Sequence, residues 1–271
     1  VANTHSYILF FTDKGKCYWV KVYDIPEGGR AAKGRAIVNL IGCEPDEKVS
    51  AFISVKEFND DHYIVMATEK GMVKKTKLSA YSNPRKKGIY AVEIRDGDKL
   101  IEARVSTGDN DILLGTRNGK SIRFSEEQIR ASGRKTMGVK GITLSSEDDR
   151  LVGMLLIKRE GTVLVATEKG FGKRTEISQY RAQKRGGKGV LTMKTTDKVG
   201  KMVTIKEVVD KDDLMIITNQ GVLIRLPVAQ IRSIGRATQG VKLIKLGEGT
   251  LVSSITRIMS EEEEDENNNT E

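Results

Sequence analysis

Proline is scarce in this chain, with four in 271 residues, and aromatic residues make up only 5%. So few aromatics argue against single-strand nucleic-acid binding, which wants side chains on which bases stack. Two cysteines, Cys17 and Cys43, match no metal or redox spacing and read as reduced thiols of a cytoplasmic protein. Two histidines, His5 and His62, have no ligand partners at useful spacing and read as surface or strand-end residues. No apolar run approaches 18 residues, so no helix is expected to span a membrane. The start shows no basic, apolar, then small-residue pattern of a signal peptide. No nucleophile stands beside a base in the sequence, and Tyr7, Tyr18 and Tyr23 read as strand residues. Two stretches hint at a phosphate-binding P-loop and fail its spacing. RNGKS (117–121) has Leu114 where the first glycine belongs, and GFGKRT (170–175) has Thr167 there and Arg174 in place of Ser or Thr. These absences leave no catalytic residue and no metal site to assign.

What is abundant is positive charge and glycine. The formal net charge is +9, and the last eleven residues, EEEEDENNNTE, hold seven acids and no base, which leaves residues 1–260 at +16. A basic body with an apolar-free acidic end suggests a polyanion-binding domain, residues 1–260, and a disordered tail, residues 261–271. Such a tail is either a solvated end or a competitor that folds back on the basic surface.

The 27 glycines carry the organisation. Short turns recur as TDKGKC, TEKGMV, TRNGKS, TEKGFG and TNQGVL, with Gly15, Gly71, Gly119, Gly170 and Gly221. A second glycine follows at 19, 17, 19, 19 and 19 residues: Gly34, Gly88, Gly138, Gly189 and Gly240. The first glycines stand 56, 48, 51 and 51 apart, so the chain is five copies of one unit, about 1–58, 59–108, 109–160, 161–211 and 212–260.

Each unit reads as four β-strands. In the fourth, TVLVATE (162–168) and a strand through FGKRTEI flank a tight turn, VLTMKT (190–195) begins a third strand and MVTIKEVV (202–209) makes a fourth. No long helical period is present; residues 126–132 and 228–233 are long enough for one helical turn each. The expected fold is all-β: four-stranded blades in series, a propeller-like array in which each blade buries its faces against its neighbours.

Before the second glycine every unit places a basic loop. The first has Arg30, Lys33 and Arg35; the second Arg85, Lys86 and Lys87; the third Arg134, Lys135 and Lys140. The fourth is QKRGGKG, with Gln183, Lys184, Arg185, Gly186, Gly187, Lys188 and Gly189, and the fifth has Arg232, Arg236 and Lys242. Glycines let a backbone approach a ligand closely, and Arg and Lys suit phosphate as a planar fork and a point charge. If the units are related by rotation, equivalent loops share one rim, and five patches become one basic band. Cations of the second strands, Lys74, Lys75, Lys120, Arg123, Lys173, Arg174 and Arg225, are expected to flank it. A basic band on a curved rim would hold bent duplex DNA through its phosphates without reading sequence. A propeller scaffold for an acidic protein is the rival from a different class.

The repeat, its loops and the stretch QKRGGKG resemble the C-terminal domain of DNA gyrase A, whose box is Gln, two basic residues, two glycines, a basic residue and glycine. VANTH at the start, VKVYDIP (20–26), GRAIVNL (34–40), GFGKRT and GRATQGV (235–241) are similar to this family as well. The resemblance covers residues 1–260 and implies a six-bladed β-pinwheel in which neighbouring repeats exchange strands. It implies chiral wrapping of double-stranded DNA in support of negative supercoiling by a type II topoisomerase. It further implies a holoenzyme of two gyrase A and two gyrase B chains, in which the N-terminal domain of gyrase A together with gyrase B holds the catalytic residues, ATP and Mg. None of these cofactors is expected in this chain. Five repeats are visible where the family usually has six, and the family's box sits in the first repeat whereas here it is in the fourth. The chain therefore reads as lacking a first repeat, with Gln183–Gly189 a blade-equivalent DNA contact; alternatively that loop has taken over the box's role. The C-terminal domain of the equivalent topoisomerase IV chain, a close relative, is the alternative within the superfamily.

Overall fold

The structure is a computed structural model that describes residues 2–29 and 32–259. Arg30 and the acidic tail, both singled out above, lie outside the described residues.

All five repeats follow one plan. The first holds β1 (Tyr7–Thr12), β2 (Lys16–Lys21), a short helix α1 (Ile37–Ile41) and β3 (Val49–Val55). The second holds β4 (Tyr63–Thr68), β5 (Met72–Lys77), β6 (Ile89–Tyr90) and β7 (Leu100–Ser106). The third holds β8 (Asp111–Thr116), β9 (Lys120–Ser125), β10 (Val139–Lys140) and β11 (Leu151–Ile157). The fourth holds β12 (Thr162–Thr167), β13 (Phe171–Glu176), β14 (Val190–Leu191) and β15 (Met202–Val208). The fifth holds β16 (Asp213–Thr218), β17 (Leu223–Pro227), β18 (Val241–Lys242) and β19 (Val252–Ile258). A single 3-10 turn follows the second strand of every repeat, including Glu126–Gln128 and Val228–Gln230 where the sequence left room for one.

The recurrent Thr-x-x-Gly has a local cause. The glycine N–H donates to the threonine carbonyl, as Gly170 does to Thr167 at 3.0 Å. Gly170 has φ +78°, the left-handed position that closes a three-residue hairpin loop. The threonine hydroxyl accepts from the amide four residues on, at 3.1–3.3 Å in all five repeats.

The third strand departs from a simple four-strand blade. It is two residues long, and it pairs with the second strand of the preceding repeat. The register sets Cys17 against Ile89, Ser121 against Val190, and Gly172 against Val241. The sheets accordingly run β3-β1-β2-β6, β7-β4-β5-β10, β11-β8-β9-β14 and β15-β12-β13-β18. The fifth, β19-β16-β17, has three strands among the described residues, one fewer than the repeat predicts, since no exchanged strand is supplied to it there. The first repeat has no exchanged strand among the described residues, and residues 37–41 follow its second glycine, Gly34. They form α1, with Ile37 and Val38 exposed.

The described residues form two compact units. One is the chain up to Asp109 with Ile129–Val139, the other Asn110–Gln128 with the chain from Lys140 onward. Each has its core between sheets. In the first, Leu9 and Phe11 of β1 pack with Ile64, Met66 and Tyr81. In the second, Leu113, Val163, Val165, Tyr180, Met193 and Ile205 form one cluster, and Leu164, Leu214, Ile216 and Ile244 another. Burying each such side chain contributes about 1.5–3 kcal/mol, so a blade is stabilised chiefly by its neighbour.

Candidate nucleic-acid interface

Strand exchange decides where the basic loops sit. From the second repeat on, each loop leaves a 3-10 turn, runs over the second strand of the preceding sheet, and ends at the second glycine, which meets that strand's backbone. A Cβ on Gly189 would lie 2.3 Å from the Ser121 carbonyl oxygen, one on Gly138 2.4 Å from that of Val73, and one on Gly240 2.6 Å from that of Gly172. Glycine is required there for close approach. Gly34 of the first repeat has φ +66° but nothing within 4 Å.

The loops themselves carry no carboxylate: residues 82–92, 130–144, 181–196 and 229–247 contain neither Asp nor Glu. Lys33, Arg35, Arg85, Lys86, Lys87, Lys135, Lys140, Lys184, Lys188, Arg232 and Lys242 are exposed. Arg134, Arg185 and Arg236 are half-buried, as is Gln183, whose N–H donates to the Arg123 carbonyl at 2.8 Å.

The QKRGGKG loop is fastened at many points. Gly186 N–H donates to the Gly141 carbonyl at 2.6 Å, and Thr143 N–H donates to that of Gly187 at 2.9 Å. The Thr143 hydroxyl donates to the Gly186 carbonyl at 2.7 Å. The Gln128 side chain accepts from Arg185 N–H at 2.9 Å and donates to the Gln183 carbonyl at 3.2 Å. The loop is thus a preformed surface from which Lys184 and Lys188 project.

Lys173 and Arg174, expected on the basic surface, lie elsewhere. Lys173 is 0% and Arg174 9% exposed. Lys173 Nζ donates to the Gly235 carbonyl at 2.7 Å, to the Arg236 carbonyl, and to Thr238 Oγ1 at 3.1 Å. Arg174 donates to the Ile231 carbonyl at 2.8 Å and pairs with Asp210. Phosphate cannot reach either group without opening the sheet. Lys74 repeats the device in the first unit: 2% exposed, it donates to the carbonyls of Ala91 at 2.8 Å and Arg134 at 2.5 Å. Loss of hydration lowers both ammonium groups to about 8, helped by nearby Arg134 for Lys74 and Arg236 for Lys173. Three other flanking cations are engaged too. Arg123 pairs with Asp111 at 2.6 Å and Arg225 with Asp213 at 2.5 Å, while Lys75 lies over the Tyr63 ring. Lys74, Lys173 and Arg174 therefore drop out of the expected band.

Sequence reasoning missed Gln128 and its equivalent Gln179, which accept from Arg185 and Arg236 backbone amides respectively. Their signal was a glutamine at the same place in three repeats, Gln128, Gln179 and Gln230, just before the basic loop. Among the described residues no group of three or more His, Cys, Asp or Glu could hold a metal, and no helix is long and apolar enough to cross a membrane.

The family described as DNA gyrase C-terminal domain, beta-propeller, matches residues 6–56, 62–107, 110–158, 161–208 and 212–258. The chain is 45% identical over 264 residues to the DNA gyrase A protein of Staphylococcus epidermidis, covering 96% of this chain and 30% of that protein. It is 45% identical over 272 residues to the DNA gyrase A protein of Staphylococcus aureus, covering 99% and 30%. It thus spans about a third of the length of the curated relatives it matches. Among solved structures, the C-terminal domain of DNA topoisomerase IV superposes with TM-score 0.88 at 26% identity, covering 96% of this chain and 81% of that one. A DNA gyrase A C-terminal domain superposes with TM-score 0.82 at 24% identity, covering 95% and 84%, and shares the fold.

Proposed function

The chain belongs to the DNA gyrase C-terminal domain family, and from that premise we propose that its exposed loop cations bind duplex DNA through phosphates and wrap it with a fixed hand. The observation that carries this reading is the recurrence of exposed, acid-free cations on loops held in the same way in successive repeats. Four loops seat the second glycine against the preceding sheet, so their cations are presented by rigid backbone. Phosphate contacts supply affinity without sequence readout. Bending 20–30 bp through 40–90° costs on the order of 1–6 kcal/mol, which several two-phosphate loops offset.

In the whole enzyme this domain would hand a wrapped segment to a gate built by the rest of gyrase A, in a cytoplasmic complex with gyrase B. DNA cleavage, ATP and Mg would belong to those other parts; the residues described here would supply only the wrapping surface. The 45% identity to gyrase A proteins supports gyrase as the parent enzyme.

The test is duplex affinity as a function of salt. We expect log K to fall with log salt by about 0.9 for each phosphate neutralised. The double variant Lys184→Ala/Lys188→Ala should reduce that slope by about 1.8 and weaken binding equally on unrelated sequences. Binding insensitive to salt, or limited to one sequence, would contradict the reading.

A further inference from the structure

We propose that the arginine four residues before the second glycine is a positioning residue that ties the basic loops of the third, fourth and fifth repeats each to the loop before it. On this view Arg134, Arg185 and Arg236 set the spacing at which the exposed lysines meet DNA. The proposal rests on the duplex-binding reading above.

The three arginines occupy one position of the repeat, and their guanidinium groups do one thing. Arg134 Nη1 donates to the Tyr90 carbonyl at 3.3 Å, Arg185 Nη1 to that of Lys140 at 3.1 Å, and Arg236 Nη1 to that of Leu191 at 2.7 Å. Each acceptor stands two residues after the second glycine of the preceding repeat, on the strand in which that repeat's loop ends. The arginine therefore joins the start of one loop to the end of the previous one. It does so three times with the same atom.

The backbone of each arginine is fixed from beneath. Buried Lys74 holds the Arg134 carbonyl and buried Lys173 that of Arg236. Gln128 accepts from the Arg185 amide, and Gln179 from the Arg236 amide at 3.3 Å. Arg185 also donates through Nε to the Gln128 carbonyl at 3.0 Å, so its fork serves two elements at once. A planar guanidinium can do this; a lysine ammonium is a point charge and cannot span both directions. The half-burial of all three fits a link, and the exposure of the neighbouring Lys135 and Lys184 fits a ligand. The second repeat supplies a natural contrast. Pro84 stands at this position, and its cations Arg85, Lys86 and Lys87 are all exposed.

The experiment compares Arg185→Met, Arg185→Lys and Lys184→Ala in the full chain. Two quantities are read: the salt slope of affinity for a 20-bp duplex, and the linking-number shift left on nicked circles sealed in its presence. A link predicts that both Arg185 variants keep the wild-type slope yet lose most of the shift. Lys184→Ala should instead lower the slope by about 0.9. A fall of about 0.9 in Arg185→Met that Arg185→Lys restores would make Arg185 a phosphate ligand and overturn the proposal. Unchanged slope and unchanged shift in Arg185→Met would overturn it as well. Should Arg185→Met lose its cooperative thermal transition, Arg236→Met and Arg134→Met carry the same comparison. A wild-type chain with neither slope nor shift would sink the duplex reading itself, and this proposal with it.

Discussion

A lysine ammonium enclosed by a β-sheet must find oxygen, and Lys74 and Lys173 find it in loop carbonyls. Their position, three residues after the turn glycine, is Tyr18, Ile122 and Ile224 in the other repeats. Aligned in that way the sequence marks an inward-facing site; read only as two cations in a basic chain, Lys173 passed for a surface contact. The enclosed charge has a pH signature. Both groups titrate near 8 when folded and near 10.4 when unfolded, so between these values the unfolded chain binds more protons. The cost of burying the charges is present in full below pH 8 and is relieved as pH rises toward 10, which means stability increases through that window. Arg134 and Glu93 face Lys74, and Arg236 faces Lys173. Cys17, whose thiol burial pushes up, adds the opposite slope above about pH 8.5. The comparison must therefore be between wild type and Lys74→Met/Lys173→Met, by chemical denaturation from pH 7.5 to 9.5. The wild type should gain stability relative to the variant as pH rises; parallel curves would mean that the lysines are charged at no cost.

At the scale of elements, the second glycine separates two effects. Gly189→Ala would place a Cβ 2.3 Å from the Ser121 carbonyl oxygen at φ +68°, while Gly34→Ala meets only φ +66° and open space. We expect Gly189→Ala to cost about 2–4 kcal/mol and to unseat the basic loop, and Gly34→Ala to cost about 1 kcal/mol. Thermal denaturation of the two variants checks this; equal losses would mean that strain alone, not close approach, fixes the glycine. The hairpins and the long closing strands were legible because alternating apolar runs and Thr-x-x-Gly turns are local signals. The exchanged strand was not legible as a two-residue element, because its pairing is made with a strand about 70 residues earlier. Ile89 on Cys17 and Val190 on Ser121 show that separation. The loop cations were legible as a recurring set. Which of them project and which tie loops together was not, since that depends on carbonyls contributed by the preceding repeat.

For the molecule as a whole, we propose that repetition converts modest charges into a track. Single exposed lysines bind phosphate weakly, and a basic body at +16 over residues 1–260 would attract any polyanion. Chirality is the property that charge alone does not provide; it requires loops held at fixed spacing on successive sheets. The decisive measurement seals nicked circular plasmid in the presence of increasing amounts of the chain, removes the protein and resolves the topoisomers. Chiral wrapping predicts a linking-number shift of one sign that grows with bound protein. Salt-sensitive binding that leaves linking number unchanged would contradict it, because the loops would then hold DNA without wrapping it.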